Sequence, residues 1–264
     1  MQIGAQFYTI REFCKTTEGI AESLKKVADI GYKTVQISGT CAFDAEWMRD
    51  ELKKNGLNCV ITHTKPERIV GETEKVIEEH KTFGCDRIGI GFYDVAKNGV
   101  QAFIDYYKDA AKLIKEKGLF LSYHNHDAEF MKIDGKLIID HILDAFSPDE
   151  MGFTLDTYWV QSGGADPIWW LNKLKGRTPC IHFKDMAFVE KERRMAVVGE
   201  GNMNFEGIIK AAVDNGVSYA LVEQDNCYGE DPFDCLKRSY QYLKAQGTLW
   251  VASRVPSALS TSNS

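Results

Sequence analysis

Short apolar runs rich in β-branched and aromatic residues recur along the chain. Each is followed by a longer stretch in which apolar residues return every three or four positions. The short runs predict strands at 3–10 ("IGAQFYTI"), 34–39, 59–64, 86–91, 119–126 ("LFLSYHNH"), 152–159 ("GFTLDTYW"), 180–185 ("CIHFKD") and 219–224 ("YALVEQ"). The longer stretches predict helices over 17–31, 45–56, 72–84, 100–118, 136–146, 166–176, 204–216 and 232–247. In the first of these the apolar residues fall at 20, 24, 27, 28 and 30, one face of a helix. Several stretches end in Gly, which tolerates the left-handed conformation that stops a helix. Strands alternating with helices, closed by right-handed crossovers, point to a single (β/α)₈ TIM barrel over residues 1–250. A doubly wound open sheet is the alternative, but it calls for a Gly-rich phosphate loop after the first strand, and "TIREFCKTTEG" is not one. The small, polar, aperiodic "ASRVPSALSTSNS" at the end reads as a flexible tail, residues 251–264. The connection 186–204 is the longest, a candidate lid.

Composition narrows the class. The 264 residues are 44% hydrophobic and 27% charged, enough for a large core. A net charge of −6 without a basic cluster argues against nucleic acid as a partner. No apolar run is long enough to span a membrane, and the N-terminus lacks a basic region and an apolar signal core. Seven scattered cysteines without a CxxC pair fit a reduced, cytoplasmic protein.

Chemistry in such a barrel gathers where the strands end. The fifth predicted strand ends in His124 and His126, with Asp127 and Glu129 following; the sixth carries Asp156, the seventh His182, the eighth Glu223. A lone histidine or carboxylate at a strand end is ordinarily a hydrogen-bonded core group or a helix cap. Four neighbouring strands that each deliver one at the same rim are a site. His124, Asp156, His182 and Glu223 are the expected metal ligands; their mixed imidazole and carboxylate donors suit Mn²⁺ first, then Co²⁺, Mg²⁺, Zn²⁺ or Fe²⁺. Residues two apart on a strand share a side, so His126 joins His124, and Lys184 joins His182 as a partner for an oxyanion. His63, ending the third strand, is within reach of the rim. His80 and His141 lie in helical patterns and read as surface residues. Trp159 offers a flat face on which a sugar stacks. Arg194, in the lid segment with Arg193 and Glu200, offers a fork for an anion, although "EKERR" also reads as a solvated charge run.

From "GAQFYTI" to "QYLK" the chain resembles the xylose isomerase-like (β/α)₈ superfamily of sugar isomerases and epimerases, which also holds inosose dehydratases and endonuclease-four-type enzymes. "YHNHDAEF", "LDTYW", "IHFKDM", "VGEGNMNF" and "LVEQD" look like the block sequence of its sugar phosphate isomerase/epimerase members. The resemblance implies a divalent cation held by Asp156, His182 and Glu223. It also implies a fourth ligand at the end of strand five, where the family's ketose epimerases usually carry a Glu and this chain has His124. In those epimerases the two glutamates exchange protons with the sugar from opposite sides; a metal-bound imidazole is a poor substitute. Glu129 restores a carboxylate if its loop folds back. Trp159 stands where many relatives have a His.

The expected function is therefore a metal-dependent sugar isomerase or epimerase that removes a proton next to a carbonyl. His126, Lys184 and Glu223 are its catalytic groups; His63, Glu129, Trp159 and Arg194 contact a small carbohydrate substrate. The alternative is a lyase or dehydratase that expels water or a glycosidic oxygen from a keto-sugar, keto-glycoside or inosose. A homo-oligomer or a partner subunit is compatible with either. A repair endonuclease, which needs more histidine ligands and a basic face, and a barrel that only binds are the remaining classes.

Overall fold

Parallel strands close on themselves in chain order in the computed structural model, which describes residues 1–247. They are β1 (Gln2–Gln6), β2 (Thr34–Ile37), β3 (Asn58–Thr64), β4 (Arg87–Ile90), β5 (Phe120–His124), β6 (Met151–Asp156), β7 (Cys180–Phe183) and β8 (Tyr219–Val222). Pairing of β1 with both β2 and β8 completes the ring. The surrounding helices are α1 (Thr17–Ile30), α2 (Ala45–Asn55), α3 (Thr73–Thr82), α4 (Val100–Glu116), α5 (Ile138–Ala145), α6 (Pro167–Lys173), α7 (Phe205–Asp214) and α8 (Pro232–Ala245). The expected (β/α)₈ barrel is the observed fold. The expected tail, 251–264, lies outside the described residues.

Local chemistry sets the helix ends. Asp44 Oδ1 accepts from the amides of Glu46 and Trp47, both at 3.0 Å, and starts α2; Gly56, at φ 62°, stops it in the left-handed conformation. The predicted apolar stripe of α1 is the buried one, with Ile20, Leu24 and Val27 against the barrel. Inside the barrel the side chains sort by height. Ile61 of β3 packs with Cys180 of β7 and Leu221 of β8 in a small apolar cluster. Two residues further along each of those strands stand His63, His182 and Glu223. Period-two geometry thus sets an apolar floor beneath a polar rim.

Several strands stop earlier than the hydrophobic pattern suggests. After β1 the chain turns into a 3-10 helix, Phe7–Phe13, because the Gln6 side chain accepts from the Tyr8 amide. After β6 a short helix, Thr157–Ser162, begins because the Asp156 carboxylate accepts from the Trp159 amide at 3.0 Å. His80 is a correction: it is 3% exposed, and its Nε2 lies 2.8 Å from Thr62 Oγ1, so it belongs to the packing between α3 and β3. His141 is half-buried against the Ile133 carbonyl.

The lid candidate is an antiparallel hairpin, Asp185–Val189 with Glu192–Ala196, whose turn residues Glu190 and Lys191 have φ of 51° and 66°. It is tethered: Arg193 Nη1 donates to the Ser162 carbonyl at 3.1 Å and the Met195 amide to Tyr228 Oη at 3.2 Å. The following loop is organised by the buried Asp185 carboxylate, which accepts from the amides of Met186 (2.7 Å), Gly199 (2.9 Å), Gly201 (3.1 Å) and Met203 (3.4 Å). Asp185→Ala should destabilise the protein by about 3 kcal/mol, since each buried polar group left unpaired costs about 1–3 kcal/mol. Amide exchange at Gly199 and Gly201 should accelerate; unchanged denaturation midpoint and exchange would contradict this anchoring role.

Candidate metal centre and active site

The last inward residues of β5, β6 and β7 and the first residue after β8 converge. One donor atom from each of His124, Asp156, His182 and Glu223 lies within 4.8 Å of the others, and all four residues are buried. His124 Nε2 is 3.2 Å from Asp156 Oδ2; His182 Nδ1 is 2.8 Å from Glu223 Oε2 and 3.6 Å from Asp156 Oδ2.

The outer hydrogen bonds decide how these groups face one another. His124 Nδ1 lies 3.1 Å from the Gly91 carbonyl, which can only accept, so Nδ1 carries the hydrogen. Nε2, the nitrogen left over, faces the Asp156 oxygen. His182 Nε2 lies 2.7 Å from Gln36 Oε1, so its other nitrogen, Nδ1, faces the two carboxylates with a lone pair and has no aligned hydrogen-bond partner. Gln6 Nε2 donates to Glu223 Oε1 at 2.8 Å and fixes that carboxylate. Lone pairs turned towards lone pairs at these separations call for positive charge between them, either a proton on His182 Nδ1 or a metal cation. The donor set is two imidazoles and two carboxylates, each held from behind, and it fits a divalent metal.

Charge balance agrees. Burial, the largest single influence, opposes ionisation of Asp156 and Glu223, but Lys184 and the neighbouring histidines together outweigh it and hold both well below the ordinary carboxylate range. The Lys184 ammonium, itself buried, is 3.5 Å from Asp156, 3.4 Å from Glu223 and 2.8 Å from Asp225. Its burial penalty is overcome by these carboxylates, so it stays charged. Burial also lowers His182, but Glu223 and Asp156 win and raise it to about 9 in the metal-free protein. A proton and a divalent cation compete for one lone pair.

A cavity of about 410 Å³ opens onto this cluster, with Tyr8, Ser38, His63, Phe92, His126 and Asp225 on its walls. His126 lies beyond the end of β5, yet its ring is 4.6 Å from that of His124. Burial, then His124, depresses it to about 3, so it is neutral, and Nδ1 has no partner. Asn125 between them is buried, its Oδ1 accepting from the Asp156 amide at 3.0 Å. His63 Nδ1 is 3.1 Å from Ser38 Oγ, and its ring fits because the residue just after β4 has no side chain: a Cβ on Gly91 would lie 2.8 Å from it. The Trp159 ring is 5.3 Å from the His126 ring and 5.2 Å from Lys184 Nζ, within the site.

Two expected substrate contacts stand elsewhere. Glu129 is turned away from the cavity, because Tyr123 Oη donates to one carboxylate oxygen and the His126 amide to the other at 2.8 Å. It shapes the loop that presents His126. Arg194 pairs with Glu190 at 3.0 Å and stacks over Tyr228 at 5.3 Å on the hairpin, away from the cavity walls. Asp225, Gln6, Gln36 and Ser38 join the site without having been singled out. Asp225 is pushed up to about 6 by burial and by Glu223, against the pull of Lys184.

Because a metal must displace the His182 proton, affinity for Mn²⁺ should rise about tenfold per pH unit up to about pH 9, with one proton released per ion. Chelator competition between pH 6 and 9 measures this; a pH-independent affinity would contradict it. Gln36→Leu removes the group that orients His182 and should weaken binding about 10- to 100-fold, while Asp156→Ala should abolish it.

Comparison with known proteins agrees with the geometry. An inosose dehydratase from Clostridium perfringens is 24% identical over 219 residues, 76% of this chain and 69% of that protein. Another, from Lacticaseibacillus casei, is 26% identical over 149 residues, 50% of this chain and 49% of that protein. Among solved structures, a sugar phosphate isomerase/epimerase from Parabacteroides distasonis superposes with a TM-score of 0.79 at 21% identity, covering 94% of each chain. An L-ribulose 3-epimerase gives 0.70 at 14%, covering 93% of this chain and 94% of the other. At these identities the structural likeness speaks for the fold. No helix among the described residues is long and apolar enough to cross a membrane. The pattern of the xylose isomerase-like TIM barrel matches residues 24–246, and the chain belongs to that family.

Proposed function

We propose that the site removes a proton next to the carbonyl of a keto-polyol or keto-sugar and expels a β-oxygen, as a carbon–oxygen lyase of the dehydratase kind. The observation that carries the choice is the end of β5. There His124 stands in the buried four-residue cluster, and both carboxylates of the following loop are engaged elsewhere, Glu129 by Tyr123 and the His126 amide and Asp127 by the Ser162 hydroxyl. The pair of glutamates that serves the family's ketose epimerases is therefore missing. This reverses the order in which the sequence ranks the two outcomes, and the dehydratase names of the curated relatives support the reversal.

A divalent cation bound by His124, Asp156, His182 and Glu223, with manganese the proposed ion, would polarise a carbonyl and an adjacent hydroxyl and so acidify the neighbouring C–H. The residues supply the rest. His126, neutral and unpartnered at Nδ1, is free to accept the carbon-bound proton. Lys184, charged throughout, faces the oxygen on which negative charge develops. Asp225 pairs with Lys184 at 2.8 Å, and its raised pKa lets it deliver a proton to the departing hydroxyl. The base gains one proton, the acid loses one, and water leaves. Trp159 and Phe92 flank the His126 ring and give the substrate apolar faces.

Turnover of an inosose or a keto-sugar by the manganese-loaded enzyme in heavy water should give a product lighter by one water, the hydrogen on the carbon next to the carbonyl having been lost to solvent. A product of unchanged mass carrying deuterium would select the epimerase reading; retention of every carbon-bound hydrogen would overturn both. Asp225→Asn and His126→Ala should each cut turnover by about 10²- to 10⁴-fold with metal content unchanged. His124→Glu, which restores the missing carboxylate, should gain epimerase activity.

A further inference from the structure

A second cavity, of about 660 Å³, lies beside the first, between the loop that follows β2 and the segment that follows β3. His63, Thr64 and Lys65 line both, so the two spaces meet along one short wall.

Every lysine and arginine around this junction but one has an ion-pair partner. In the second cavity Arg68 pairs with Glu79 at 2.9 Å and with Glu72 at 3.4 Å, and Lys75 pairs with Glu72 at 3.5 Å. In the first, Lys184 is met by three carboxylates. Lys65 lines both cavities and makes no ion pair with any described residue. Beside it, His63 Nε2 is buried and has no hydrogen-bond partner, and Thr64 Oγ1 lies 2.8 Å from Thr62 Oγ1. The shared wall thus presents an exposed ammonium without an ion-pair partner among the described residues and an unpartnered imidazole nitrogen, with no carboxylate on it.

We propose that Lys65 recognises an anionic substituent of the substrate, a carboxylate or a phosphate, while the reacting keto-polyol end lies against the metal ligands. Size points the same way. The first cavity alone is near the low end of the roughly 300–1,000 Å³ usual for ligand sites, and the two together exceed what one sugar ring fills. A flexible lysine at the junction supplies a point charge that follows the substituent without demanding one geometry. This inference names the substrate class of the site above and rests on that reading only for the identity of the reacting end.

Calorimetric titration of the metal-loaded full chain with inorganic phosphate and, separately, with acetate tests it without turnover, so it stands or falls independently of the deuterium result. Wild type is compared with Lys65→Met, Lys65→Arg and, as a charge control on an exposed helix face, Lys25→Met. For one of the two anions, affinity should fall at least about fivefold in Lys65→Met and stay within about twofold in the other two variants. The anion that responds names the substituent. Equal affinities of wild type and Lys65→Met for both anions, or no binding of either by the wild type, would overturn the proposal.

Discussion

Two fully buried carboxylates, Asp156 and Glu223, are the constraint around which this protein is arranged. Charge in a dry interior must be matched within a few ångströms, and Lys184 is one cation for two anions, with Asp225 drawing on it as well. The histidines cannot make up the balance while neutral. His182 is accordingly driven to hold a proton in the metal-free protein, and its Nδ1 is aimed at the spot where a divalent cation would settle the account. Gly91, Gln6 and Gln36 are useful only in that light. Each turns a ligand inward from behind, and Gly91 also makes room for His63.

The barrel makes this arrangement by repetition. Inward positions alternate along each strand, so Ile61, Cys180 and Leu221 close the floor while His63, His182 and Glu223, two residues on, form the rim. The next inward step lifts Lys184 and Asp225 into the cavity wall. Polar groups are thus layered by height, with His124, Asp156, His182 and Glu223 lowest and Lys184 and Asp225 above them. The Asp185 carboxylate, bound by four amides, ties down the loop that follows the hairpin.

The fold and the buried cluster of two histidines and two carboxylates were legible because both follow from periodicity. Alternation along strands and stripes along helices expose the barrel, and strand-end polar residues expose His124, Asp156, His182 and Glu223. What stayed hidden depends on three-dimensional pairing. Nothing in "GAQF" or "TVQI" says that Gln6 meets Glu223 and Gln36 meets His182 across more than a hundred residues. A glutamine inside an apolar strand was the available signal. Glu129 read as a site carboxylate, but Tyr123, six residues before it, takes its oxygen. His80 read as exposed because a polar residue on a helix ordinarily is, and only Thr62 on β3 draws it inward. Strand ends were overshot where a side chain caps the next turn, as Asp156 and Gln6 do; capping residues look like strand residues until the turn is seen.

Anomalous diffraction and X-ray absorption on manganese-loaded crystals test the central claim most directly. The account predicts one ion per chain among His124, Asp156, His182 and Glu223, bound through His124 Nε2, His182 Nδ1 and a carboxylate oxygen from each acid, at about 2.0–2.3 Å. An ion with only oxygen ligands, an ion seated elsewhere in the barrel, or no anomalous signal at the cluster under saturating metal would contradict it.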